Sequence, residues 1–451
     1  MGTATVAGTT RPATRPAFVL LGTVQSTLIF TLASLSVPLP RIGREFALGR
    51  ADLILLSAAY GLTFAGLLLF GGRLSDRYGG RRLLTAGLLV LAVASAVAPF
   101  APGYGTLLAA RFAQGLGAAL VAPAAMAVLR ALFPSPAAYG KAMATWGGLS
   151  MLGATAGTLG SGVISSLASW RWSFAVPLAV TVAALTLAPR LLPPTPPAPL
   201  RTQPALDLPG AVLATAGITL ASYGLVLTDA HPWGSATVLV PLLTGLALLA
   251  AFVLAENRAR DPLLPPRFLL DRRRALGLLA IVLTAAASAT TFVLLSLHLQ
   301  EERGFSAIQT SAAFVPFAVA LIGSGRVAGA LIGRYGPRAV TAGGLSTGAA
   351  GLALLAATGL DTHIPYAYGL LPGLLLLPAG AAASFAGAAV LATDGVPPER
   401  TGLAGGVLNT AMEFGPTVVF AALLTLGSDA SSFAATATAF VLVSVLLSFK
   451  K

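Results

Sequence analysis

The sequence predicts an all-α polytopic membrane protein of fourteen spans, arranged as six, two and six, with both ends on the cytoplasmic side. Three observations carry this: a composition poor in charge, repeated apolar runs near 20 residues, and basic residues gathered in alternate connections. The chain has 451 residues, 56% hydrophobic and 10% charged, with a mean hydropathy of +0.84. A soluble domain carries about 25% charged residues, so a water-soluble fold is excluded. A net charge of +13 would suggest a nucleic-acid partner in a soluble protein. Here the charges lie between apolar runs and read as topology signals. Cysteine is absent and the three histidines, 231, 298 and 363, are scattered. Disulfides and thiolate metal sites are excluded, and no ligand cluster suits a metal.

Residues 1–16 are small and polar and read as a disordered cytoplasmic N-terminus. The first run has the length of a full span and no clear small-residue cleavage site, so it is read as a helix (17–38) and not as a leader. Further spans are expected near 52–71, 83–101, 105–131, 142–166 and 173–192, giving an N-terminal six-helix bundle over 17–192. A proline-rich stretch follows, LLPPTPPAPLRTQPALD, and its missing amide donors make an extended linker, placed at 193–208. Two inserted helices occupy 209–255, near 209–229 and 235–255, with Asp207 placed to cap the first. A basic cytoplasmic loop covers 256–274. The C-terminal six-helix bundle, 275–451, has spans near 275–298, 308–332, 339–359, 365–391, 402–427 and 431–449. With the N-terminus inside, most of the 28 basic residues fall on the cytoplasmic side. Arg41, Arg44, Arg50, Arg171 and Arg303 lie outside, and Arg111 and Arg326 fall within spans.

The stretch between the second and third spans, Gly71 to Arg82, reads GGRLSDRYGGRR. It is expected to be a short charged loop whose glycines permit positive φ and close backbone approach. Asp76, its one acid, can accept hydrogen bonds from arginines or from a helix N-terminus. Such a latch would hold helix ends together in one state and release them in another; a basic loop that only sets topology is the plainer alternative. The stretch is echoed 257 residues on: Leu74, Arg77, Tyr78, Gly79 and Arg81 match Leu331, Arg334, Tyr335, Gly336 and Arg338. Each copy follows the second span of its half. Duplicated halves around a midplane site are the architecture of alternating-access transporters. Gly333 replaces the acid in the second copy, so an acid latch is one-sided.

These residues resemble the signature of the major facilitator superfamily, roughly G-x-L-x-D-R-x-G-R-R, with Gly72, Leu74, Asp76, Arg77, Gly79 and Arg81 in place and Gly80 departing. LLAARFAQGLGAAL, 107–120, is similar to the family's fourth-helix motif, with Arg111, Gln114, Gly115 and Gly117 in register. That resemblance links Arg111 to proton transfer; an arginine reaching to the interface is the alternative. GGLSMLGATAGTLGSGV, 147–163, resembles the antiporter motif of the fifth helix through Gly153, Gly157 and Gly162. Thr158 stands for its proline and Ser161 for a glycine, so a bend there is not assured; close helix packing is the plainer reading. SWRWSF at 169–174, LHLQEERGFSAIQTSAAFVP at 297–316 and GLAGGVLNTAMEFG at 402–415 resemble segments of the fourteen-helix drug:proton antiporter branch. The chain is identified as a diverged member of it.

That branch usually carries an aspartate in its first helix, where Thr31 stands here. Proton coupling needs an intramembrane group that gains and loses a proton. Glu413 is the one acid near the middle of an expected span, in place of a usual glutamine, and an intramembrane carboxyl is a functional candidate by default. A structural hydrogen bond across helices is the alternative. Gln25, Thr31, Tyr60, Gln114 and Asn409 are candidates to line the cavity. An apolar cavity with few polar groups suits an amphipathic organic substrate.

The resulting expectation is proton-coupled efflux of hydrophobic or amphipathic drugs, antibiotics or secondary metabolites by alternating access. Uptake, or narrow-specificity metabolite export, is the alternative. A polytopic enzyme would need clustered acids, histidines or serines at one face, and no such set, nor an ATP-binding loop, is present. No cofactor is expected beyond a proton gradient. The expected partners are a small-molecule substrate, protons and the lipid bilayer, with no nucleic acid, for a monomer in a bacterial cytoplasmic membrane.

Overall fold

The computed structural model describes residues 14–35, 37–193, 207–229, 231–259, 262–264, 266–305, 307–397, 400–414 and 428–449. Most of the expected N-terminal tail, most of the proline-rich linker, three residues of the basic loop (260, 261 and 265) and the second half of the 402–427 span lie outside them. Among the described residues there is no strand. The N-terminal half holds α1 (Thr14–Ala33), α2 (Arg50–Tyr78), α3 (Gly80–Val97), α4 (Tyr104–Leu132), α5 (Pro136–Leu167) and α6 (Ala175–Leu191). The inserted pair is α7 (Leu208–Val226) and α8 (Ala236–Glu256). The C-terminal half holds α9 (Arg272–Leu297), α10 (Val315–Leu354), α11 (Leu371–Thr393), α12 (Thr401–Phe414) and α13 (Asp429–Ser448). Eleven described helices are long and apolar enough to cross a membrane.

The first span ends at Ala33, short of the expected 38, and a separate seven-residue helix, Leu39–Glu45, follows. Pro38 and Pro40 lack amide donors and cannot continue the first helix, but a helix's first turn tolerates them. A larger correction concerns Gly71–Arg82. It is not a loop: α2 runs on through Tyr78 and α3 begins at Gly80. Only Gly79 breaks the helix, at φ 89°, a region that suits glycine. Its repeat partner Gly336 does the same at φ 80° inside the 40-residue α10. One left-handed residue turns the chain in each half, so two expected spans meet there without a loop.

Helix packing relies on small residues. In the N-terminal half α1 lies on α5 and α6, α2 and α3 lie on α4, and α3 lies on α6. In the other half α10 packs on α11 and α13, and α9 on the same two. A Cβ on Gly153 would sit 2.3 Å from the Ser26 carbonyl oxygen, and one on Gly157 would sit 2.6 Å from that of Phe30. The α1–α5 contact is therefore backbone on backbone, and α5 is one continuous 32-residue helix. Gly162 is looser, with Val37 3.4 Å away. Gly153→Ala is expected to cost roughly 1–3 kcal/mol, seen as a lower melting temperature of the detergent-solubilised protein. Gly148→Ala, where the new methyl meets nothing within 4 Å, is the matched control and should be neutral.

The inter-half approaches cluster at the Asp76 end. Ala137 to Gly147 of α5 meet Gly325 to Gly333 of α10 and Phe385 to Val390 of α11; a Cβ on Gly329 would lie 2.7 Å from the Ala137 carbonyl. α12 packs on α2 and α4 there, with Gly405 against Pro123 and Met126. At the far end each half ties its own connections. Arg303 donates to the carbonyls of Asp361 at 2.7 Å and Ile364 at 3.1 Å. In the N-terminal half Glu45 pairs with Arg171 at 2.6 Å and accepts from the Trp170 indole at 2.7 Å. Arg171 holds the Glu45 carboxyl below the usual carboxylate range, chiefly through its hydrogen bond. The folded value lies under the unfolded one, so this stabilisation is present at neutral pH and is lost as pH falls through the lowered value. The pair is partly exposed, so Glu45→Gln is expected to cost only a few tenths to about 1 kcal/mol at neutral pH. That difference should vanish when melting is repeated in strong acid.

Candidate functional site

The α2–α12 pair holds the polar contact that joins the two halves. Asp76, in the last turn of α2, accepts from the Gly402 amide on Oδ1 at 2.5 Å and from the Leu403 amide on Oδ2 at 2.8 Å. Those amides belong to the first turn of α12, whose donors have no partner within the helix. A carboxylate there also meets the positive end of the helix dipole. The approach needs bare backbone on both sides. A Cβ on Gly72 would lie 2.6 Å from the Gly402 carbonyl, and one on Gly402 would lie 2.5 Å from the Gly72 carbonyl. Four residues on, a Cβ on Gly406 would lie 2.8 Å from the Leu68 carbonyl. The clasp thus joins the two halves across 326 residues of sequence.

The second arginine of each repeated motif bonds within its own half. Arg81 donates to the Leu192 carbonyl at 3.2 Å, beyond the end of α6. Arg338 donates to the carbonyls of Leu447 and Phe449, at the end of α13. Each anchors its chain break to the last helix of its half, a symmetry the sequence repeat implied only as matching letters. Arg77 and Arg334 lie over the neighbouring rings of Tyr78 and Tyr335, at 5.7 and 5.1 Å. Gly79 supplies the turn, and Gly72 and Asp76 cross between halves.

A separate buried polar cluster lies where α1, α2 and α4 meet. Arg111 of α4 is fully buried; its Nη1 donates to the Thr31 carbonyl at 2.9 Å and to Gln114 Oε1 at 3.2 Å. Its guanidinium lies 5.0 Å from the centre of the Tyr60 ring. Tyr60 donates to the Leu28 carbonyl at 2.9 Å, and Gln114 donates to Ser95 of α3 at 2.9 Å. Arg111 Nε and Nη2 have no hydrogen-bond partner among the described residues. An arginine interior to a span is costly to bury, which makes this position a functional candidate. Glu413, partly buried on α12, is within electrostatic reach of Tyr60. Stepping by four or three along α12, Gly402, Gly406, Asn409 and Glu413 share one face. Asp76, Gly72 and Leu68 meet it from α2, whereas Tyr60 is turned to α1 and α4.

The structure brings Arg111, Gln114, Tyr60, Thr31 and Glu413 into one region. Thr31 takes part through its backbone carbonyl, while its hydroxyl bonds back to Thr27 at 2.7 Å. Gln25 lies elsewhere, donating to Ser150 of α5 at 3.1 Å. Asn409 bonds back along its own helix to the Gly405 carbonyl at 2.8 Å. Sequence reasoning passed over Ser95 and the place of the clasp's donor amides on α12. The glycines four apart in GLAGG carried a signal for the second; nothing marked Ser95 among the serines of apolar runs. No group of three or more potential metal ligands occurs among the described residues.

A model of the Major Facilitator Superfamily matches residues 19–420. The chain is 36% identical over 400 residues to a puromycin resistance protein, pur8, of Streptomyces alboniger, covering 88% of this chain and 78% of that one. It is 36% identical over 422 residues to the cephamycin export protein CmcT of Amycolatopsis lactamdurans, covering 92% and 85%. Its fold matches the crystal structure of the human organic anion transporter MFSD10 with a TM-score of 0.64 at 19% identity, covering 97% and 100% of the chains. The chain belongs to the major facilitator superfamily, multi-pass membrane transporters of small molecules and not enzymes.

Proposed function

We propose that this transporter exports antibiotics or similar amphipathic molecules in exchange for protons, cycling between states open to opposite sides of a bacterial cytoplasmic membrane. The observation that carries the reading is the α2–α12 pair. α12 is held at its first turn by Asp76 of α2 and carries Glu413 further along, within electrostatic reach of Tyr60, which lies against Arg111. A proton gained or lost at Glu413 acts on the same helix whose first turn Asp76 holds. By the excess of arginine there, the end that the clasp holds is taken as the cytoplasmic one. α5, α12 and the division of α10 at Gly336 would bring the eleven spans to fourteen. Both ends of the chain are then cytoplasmic. The transporter works as a monomer, with the proton gradient in place of any cofactor.

Export is favoured by the relatives, one a puromycin resistance protein and one a cephamycin export protein. The test is accumulation of a panel of aminonucleosides, β-lactams and lipophilic cations in cells making the protein, with and without a protonophore. Lower accumulation of at least one compound, restored by the protonophore, is the expected result. Higher accumulation in expressing cells would mean uptake and would overturn the reading.

A further inference from the structure

The inserted hairpin holds a polar site that neither the clasp nor the Arg111 cluster uses. At its Asp76-side end, Asp207 caps α7, its Oδ1 accepting from the Gly210 amide at 2.9 Å. Glu256 closes α8 and is only 3% exposed. Its Oε2 accepts from the Leu264 amide at 2.8 Å. That leaves Asp207 Oδ2 and Glu256 Oε1, both buried and without any other partner among the described residues. The two oxygens converge over Gly210: both lie within 2.6 Å of the point a Cβ would take there. The two oxygens thus face each other across Gly210, with no hydrogen-bond donor on either among the described residues.

Ionised carboxylates are acceptors only, so a bond between two of them requires a proton on one. Two like charges at such a distance also oppose double ionisation, as in other carboxyl dyads. We propose that Asp207 and Glu256 form a proton-binding site whose one shared proton holds the inner end of the inserted hairpin closed. It is distinct from Glu413 and stands independently of the export reading. The surroundings favour a proton over a metal ion. Only two carboxyl groups converge, and no third acid or histidine joins them among the described residues. Arg258, just beyond Glu256, is exposed. The Leu263 and Leu264 backbone faces Glu256 with amides alone. α2, packed against α7, carries Arg73 and Arg77 in its last turns.

The site has a route to the rest of the molecule. α7 lies on α2: Thr219 donates to the Leu62 carbonyl at 3.3 Å, and a Cβ on Gly66 would lie 2.5 Å from the Thr219 hydroxyl. α2 is the helix that bears Asp76. Release of the shared proton leaves two negative charges buried side by side, which drives Glu256 and the 262–264 segment from the α7 cap.

The experiment uses the full-length protein in lipid nanodiscs, by hydrogen exchange and infrared spectroscopy across a pH series. Protection of the Gly210 and Leu264 amides, corrected for intrinsic exchange, should fall above the site's titration point by up to about tenfold per pH unit. The infrared difference between wild type and Glu256→Gln should contain one protonated-carboxyl band that disappears over the same range. In Glu256→Gln and in Asp207→Asn an amide donates in place of the shared proton, and protection should stay high at alkaline pH. Pairwise loss of the pH dependence in the two variants is the specific signature. Protection in the wild type that is flat with pH, or pH dependence unchanged in the variants, overturns the proposal. The wild-type series decides alone if neither variant folds.

Discussion

Glu413→Gln is expected to abolish uphill transport while leaving downhill equilibration of the substrate. For one proton exchanged per neutral substrate molecule, a potential of 100 mV contributes about 2.3 kcal/mol, equivalent to a roughly 50-fold substrate gradient. Glutamine matches the shape of the carboxyl group and cannot carry the proton. The gradient sustained by the wild type should therefore collapse toward one, with little change in substrate affinity measured on the purified protein. Arg111→Lys separates the roles. A lysine keeps the charge but loses the planar donors that reach the Thr31 carbonyl and Gln114 together, so it should slow transport in both modes. Uphill transport at the wild-type level in Glu413→Gln would remove this residue from the coupling step.

Asp76→Ala is expected to release the closed end. The variant loses two hydrogen bonds to a charged acceptor and leaves the first amides of α12 without one. Hydrogen bonds to charged groups contribute about 1.5–3 kcal/mol each. A net loss of about 2–4 kcal/mol would move the equilibrium between the two states by roughly 30- to 1,000-fold. Gly72→Val should do the same by steric means, since its Cβ would overlap the Gly402 carbonyl. The chain contains no cysteine, so paired cysteines on α5 and α10 report closure without background. Cross-linking between Ala137→Cys and Gly333→Cys, where the two Cβ atoms would lie 3.5 Å apart, a disulfide spacing, should be efficient in an otherwise wild-type chain and weak with Asp76→Ala or Gly72→Val. Equal cross-linking in all of them would mean that the clasp does not set the closed state.

What the sequence made legible, and what it hid, follows from the physics of each feature. Apolar runs and basic connections marked the helices, because the bilayer imposes both. The Gly71–Arg82 stretch reads as a loop because its charge and glycine density resemble loop chemistry. In the structure the charges ride on helical turns, and one positive-φ glycine makes the break. Arg111 stood out because a charge within an apolar run is conspicuous. Its acceptor, the Thr31 carbonyl, did not, since a backbone group leaves no letter in the sequence. The Gly402 and Leu403 amides were hidden for the same reason. Gln25 was assigned to the cavity by its polarity, and the structure gives it a partner on α5. Polar letters inside a span do not tell a helix–helix bond from a cavity wall.

The central claim is proton-for-substrate exchange, and reconstitution tests it most directly. The purified protein would be placed in liposomes with a pH-sensitive dye inside and a substrate found by the cell panel outside. Substrate addition without an imposed pH gradient should produce proton movement opposite to the substrate, dependent on the protein and absent in Glu413→Gln. Substrate flux with no proton movement would contradict the account.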